Sequence, residues 1–356
     1  MRWHRLHHRS MVAAKFTGLI TDRWQANRGR QTGNQRLSHT EPKSTSPKRG
    51  LLAKLDDWMA LSEWHPRVLP FMIYILGLAV MELDEGLTRL AELTAMVEPL
   101  SIVLSHLAVS WRHSAVYPAL YVIQCGVVVW LFWRYRSLLP ELNWKFHWSA
   151  VPTAAGLCVA WIGLGYLMTS LSPWFETSGA PGRQLHDFQS LRQTNPVFFQ
   201  LSMGLRLAGM SLVVPMFEEL FVRSLCLRIF HRARLTAIGA MQILHDMPLI
   251  GDWFMHTDWG RHAAAKEPMF VAQFRATPLG ALSIFGVAAS TVVFTISHMP
   301  RDWPGCVACG LVWCVMLWWT NRGRLRLGLG PIIWSHGITN ALLWGYTLYS
   351  DDWQFL

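Results

Sequence analysis

The sequence predicts an all-α, polytopic membrane helical bundle of about seven transmembrane helices, with one eighth candidate, and three observations predict it. Of 356 residues, 52% are hydrophobic and only 15% are charged, against roughly 25% charged in ordinary soluble domains. Seven apolar stretches approach the roughly 20 residues that a bilayer-crossing helix needs: 68–83, 115–133, 149–171, 207–229, 279–299, 304–321 and 332–349. The basic residues gather at the N-terminus and in the short segments between those stretches, where the positive-inside rule places them. A soluble enzyme is excluded by this composition. So is a disordered chain, whose hydrophobic content would be far lower. The net charge of +10 reads as membrane orientation and not as nucleic-acid binding.

Residues 1–66 form a basic cytoplasmic extension, rich in Arg, His, Gln and Ser and expected to be disordered to about residue 50. It lacks the apolar run near its start that a secretory signal needs. Within it, apolar residues of 51–64 recur at helical spacing with charges between them, which predicts a helix lying along the membrane surface. Residues 67–356 are the membrane-embedded domain. The segment after the first stretch is acidic (Asp84, Glu85, Glu92, Glu98), and the next carries Arg134, Arg136 and Lys145. Arg228, Arg232 and Arg234 follow the fourth stretch, and Arg322, Arg324 and Arg326 precede the last. Every even crossing thus returns to a basic side, which predicts a multi-pass cell-membrane protein with its N-terminus in the cytoplasm. The run 93–110 is weaker because Glu98 and His106 interrupt it, and counting it would invert everything downstream. Six cysteines lie mostly in apolar stretches, so Cys306-x-x-Cys309 reads as buried thiols and not as a zinc or redox pair.

The chemistry sits inside the stretches. Glu218 and Glu219 fall about halfway along the fourth, where one ionisable side chain costs at least about 2.5–3.5 kcal/mol, so such a group marks a functional site. Glu219 and Arg223 share a helix face and can pair. Glu218 is rotated from them by about 100° and is left to face a cavity. A desolvated carboxylate near histidines suits activation of water. Phe294 with His298, and His336 with Asn340, repeat the i, i+4 spacing on two further helices. A carboxylate base, imidazoles that position water or carry a proton, and an amide that donates to an oxyanion make up the set that peptide hydrolysis needs. The same atoms admit zinc: Glu218, His298 and His336 would supply three ligands and leave a fourth position open. Spacing does not separate the two.

Glu218-Glu219-x-x-x-Arg223, then Phe294-x-x-x-His298, then His336-x-x-x-Asn340, in that order within 200–345, resembles the CAAX-protease and bacteriocin-processing (CPBP) family, which includes the Ras-converting enzyme. The resemblance implies an intramembrane glutamic endopeptidase with no cofactor, acting on a protein or peptide substrate, lipidated or not, at the bilayer. It further implies Glu218 as general base, Glu219 and Arg223 as its support, His298 as a water-positioning or proton-transfer group, and His336 with Asn340 as oxyanion stabilisers. Val222 and Ser224 depart from the family's usual Phe and Gly. His298 follows Glu219 by 79 positions, an insert with His231, His245, Asp246, His256, Asp258 and His262 that reads as a loop or substrate gate. Straight spans would place Glu218 near the midplane, His298 at the outer end of its helix and His336 near the inner end. One shared site therefore requires breaks, for which Pro215, Pro300 and Gly337 are placed. A membrane scaffold, immunity protein or transporter would use the same residues without cleaving anything.

Overall fold

The computed structural model describes residues 50–81, 83–94, 96–112, 116–171, 192–193, 195–232, 256–258, 261, 274–352 and 355. The leader and most of the 230–277 insert, with His245, Asp246 and His262, lie outside them. Among the described residues every regular element is helical. Residues Leu51–Leu356 form one compact unit.

Helix α1 (Leu51–Leu61) seats Met59 against Leu131 and Tyr135 and exposes Leu51, Leu52 and Leu61. Arg134 is tied to its Asp56. Helix α2 (His65–Met81) runs against α5 (Val116–Arg134). Between them α3 (Leu83–Leu93) and α4 (Glu98–Arg112) pack on each other in the region of the eighth candidate. Helix α6 (Ala150–Leu171) lies against the last two helices, α11 (Trp303–Asn321) and α12 (Gly330–Ser350). Each apolar stretch is occupied by a helix. Among the described residues three helices are both long and apolar enough to cross a membrane: Ala150–Leu171, Pro196–Ile229 and Pro300–Asn321. Shorter apolar helices occupy His65–Val80, Ala119–Arg134 and Ile284–Ile296. All six cysteines are free, and Cys306 and Cys309 are buried.

Two departures from the expected boundaries position the chemistry. The fourth helix begins at Pro196 and not at 207, because Asn195 caps it by accepting the Phe198 amide and Pro196 fits the first helical position. Glu218 therefore falls in its second half. The rod is also irregular: α7 (Pro196–Ala208) passes into a π-helical turn, Gly209–Val213, then α8 (Val214–Glu219), a second π-helical turn, Leu220–Cys226, and α9 (Leu227–Ile229). Pro215 has no N–H to donate to the Ser211 carbonyl four residues back, which disrupts the regular ladder there. The next departure is α10 (Ile284–Ile296), shorter than 279–299 because Ser283 caps it through the Gly286 amide. Thirteen residues rise about 20 Å, against about 30 Å of hydrocarbon. Helix α10 alone is thus too short for a straight crossing of that thickness.

Candidate active site

The site is assembled where α8 and the second π turn meet α10, α11 and α12. Helix α12 reaches it through a close approach. A Cβ built on Gly337 would stand 2.2 Å from the Ser211 carbonyl oxygen, so only glycine lets this turn of α12 lie on the first π turn. That contact sets the depth of the neighbouring His336.

His336, 3% exposed, lies between the two glutamates. Its Nδ1 is 2.9 Å from Glu219 Oε1, and its Nε2 is 3.6 Å from Glu218 Oε2. Glu219 accepts only if Nδ1 carries the proton, so a neutral His336 presents a bare Nε2 to Glu218. The imidazolium form presents an N–H instead. A separation of 3.6 Å is beyond direct hydrogen bonding. The Glu218 Oε2 atom accepts no hydrogen bond among the described residues. The two carboxylates of the pair therefore meet His336 at opposite ring nitrogens.

Glu219 and Arg223 are both 0% exposed, and Arg223 Nε lies 3.3 Å from Glu219 Oε2 without hydrogen-bond geometry. The guanidinium is held instead over aromatic faces, 4.6 Å from the Phe294 centroid and 5.5 Å from that of Trp313. Such faces stabilise a desolvated cation. Phe294, the first residue of the second motif, is thereby a buried wall of the site and stands edge-on to His336 at 6.1 Å.

His298 differs from its expected place. It lies past the end of α10, after the Ser297 C-cap, so it does not share a helix face with Phe294. Its ring is folded back on the helix end, with Nδ1 2.8 Å from the Phe294 carbonyl and the ring 4.7 Å from the Phe294 ring. Phe294 joins it to the rest of the site. Asn340 uses one amide N–H on the Met210 carbonyl in the first π turn, at 2.9 Å. The second N–H of that amide is the one available to a developing oxyanion. Glu219 thus joins Arg223 to His336, His336 in turn faces Glu218, and His298 and Asn340 are tied to the same walls. A zinc ion would need Glu218, His298 and His336 around one point. Among the described residues no group of three His, Cys, Asp or Glu side chains is arranged to hold a metal, and no step is derived through one.

Two contributors were not legible in the sequence. Trp313, 1% exposed, stacks on His336 with centroids 4.3 Å apart. Ser224, the departure next to Arg223, donates to Glu141 and accepts from Arg67 Nε at 3.3 Å, while Arg67 Nη2 pairs with Glu141 at 2.7 Å. That buried knot anchors the second π turn to α2 and to the segment before α6.

Residues 200–342 match the family model of the Rce1-like type II CAAX prenyl endopeptidases. No curated protein and no solved structure matches the chain. The matched segment contains all seven motif residues from Glu218 to Asn340 and overlaps the apolar helices Pro196–Ile229 and Pro300–Asn321. Over that segment this membrane protein is similar to the CAAX-protease (CPBP) family of proteases.

Proposed function

We propose that the chain is a glutamic intramembrane endopeptidase that hydrolyses a peptide bond of a membrane-associated client by Glu218-activated water. The observation that carries this reading is the Glu218 carboxylate, whose Oε2 lacks a protein donor while His336, fastened to Glu219, stands 3.6 Å away. Glu218 takes a proton from water, and the oxygen bonds to the scissile carbonyl carbon. The oxyanion that forms is met by the Nε2–H of protonated His336 and the second N–H of Asn340. The C–N bond then breaks, and Glu218 returns the proton to the leaving amine. Glu219 supports the imidazolium, and Arg223 balances the carboxylate charge. His298 orients the incoming water or shuttles its proton. The N-terminus lies in the cytoplasm, and the client, lipidated or not, approaches along the bilayer of the cell membrane.

Comparison of protein termini in membranes carrying wild-type protein or Glu218→Gln, by mass spectrometry, tests the reading. Client termini that vanish with the variant are the expected result. An unchanged set with both proteins expressed overturns it and favours the scaffold or transporter reading. Cleavage lost to chelators and restored by zinc, at about one zinc per chain, would replace the glutamic mechanism by the metal one.

A further inference from the structure

Trp313 lies in the middle of α11, in none of the three motifs, and is the largest of the fully buried side chains. A hydrogen bond from Nδ1 to Glu219 fixes one corner of the His336 ring and leaves the ring free to turn about that corner. The indole removes that freedom. Its plane lies 26° from the imidazole plane at 4.3 Å between centroids, a stacked arrangement that favours one orientation of the ring. The indole is itself immobilised, because Nε1–H donates to Ser335 Oγ at 3.1 Å. Ser335 immediately precedes His336, so tryptophan and histidine are pinned to the same turn of α12. Phe294 meets the same indole edge-on at 5.9 Å, and the Arg223 guanidinium lies 5.5 Å from its centroid.

We infer that Trp313 is a positioning residue, which holds the imidazole of His336 in the plane where Nδ1 meets Glu219 while Nε2 faces Glu218. It touches no reacting atom. Its effect is geometric, since a ring turned about the Glu219 hydrogen bond carries Nε2 away from Glu218. A misplacement of about 1 Å at a reacting centre costs on the order of 10²-fold in rate.

The test contrasts Trp313→Phe, which keeps an aromatic face, with Trp313→Met, which fills the gap flexibly without a plane. The primary readout is nitrogen NMR of ¹⁵N-histidine-labelled protein, with the His336 signals assigned by their loss in His336→Gln. The wild type and Trp313→Phe are expected to show one sharp set of His336 signals with Nδ1 protonated, and Trp313→Met a broadened or mixed set. On a client peptide, Trp313→Met should lose about 10²-fold in kcat with KM within about twofold, and Trp313→Phe should recover most of the loss. Phe and Met variants with the same His336 spectrum, or with the same kcat, would overturn the inference. Its kinetic arm alone rests on the protease reading. If Glu218→Gln leaves client cleavage intact, that reading fails while the spectra still decide the role of Trp313.

Discussion

Gly337→Ala places a methyl group against backbone, where nothing can rotate away. The new Cβ would stand 2.2 Å from the Ser211 carbonyl oxygen, whereas ordinary carbon to carbonyl-oxygen contacts begin near 3.3 Å. Helix α12 and the first π turn must therefore separate by about 1 Å. Overpacking of this kind costs about 1–3 kcal/mol. The separation falls on the residue next to His336, whose Nε2 is 3.6 Å from Glu218, and on the turn that holds Asn340 through Met210. A shift of that size predicts on the order of 10²-fold lower cleavage. The control is Gly345→Ala in the same helix, where a Cβ meets nothing within 4 Å. It should be neutral, or stabilising by up to about 1 kcal/mol from helix propensity. Thermal unfolding in detergent and initial rates on the client identified by the terminus comparison are measured for both variants. Gly337→Ala matching Gly345→Ala in stability and rate would refute the close-packing argument.

Two further predictions follow from the cytoplasm-facing end of the proposed topology. Glu141→Ala leaves the buried Arg67 with Glu63 as its remaining carboxylate and takes the acceptor from Ser224, which should cost about 1–3 kcal/mol, whereas Arg67→Met with Glu141→Leu should recover part of it; thermal unfolding of the two variants decides this. Asp56 is held below its ordinary carboxylate range by hydrogen bonds from Arg134 and Tyr135. Because the folded state depresses that value, the tie is complete above the ordinary value near 3.8 and is lost as pH falls through the lower folded one. Amide exchange in α1 should quicken at such acid pH and in high salt, since the pair is exposed; exchange insensitive to both would refute the role of the tie in seating α1.

The three motifs were readable because intramembrane ionisable residues are rare and i, i+4 spacing is local. Glu218 and Glu219 could be separated by helical rotation alone, and their different surroundings, His336 Nε2 for the one and His336 Nδ1 with Arg223 for the other, follow that separation. The same local logic misplaced His298, since Ser297 ends α10 one residue before it. It also missed the start of the fourth helix, because the Asn195-Pro196 cap was not weighed against hydropathy.

Residue type and periodicity thus reach as far as the helical class, the apolar stretches and the choice of candidate polar residues within them, because burial in a bilayer constrains composition turn by turn. The π turns, the seating of α12 on Ser211 through Gly337, the indole beneath His336 and the Glu141 partner of Ser224 are of another kind. They join groups far apart in the chain, such as His336 and Glu219 at 117 positions. Such contacts exist only once helices pack, when steric exclusion between backbones and the demand of buried polar atoms for partners select one arrangement among the many that the same local pattern allows.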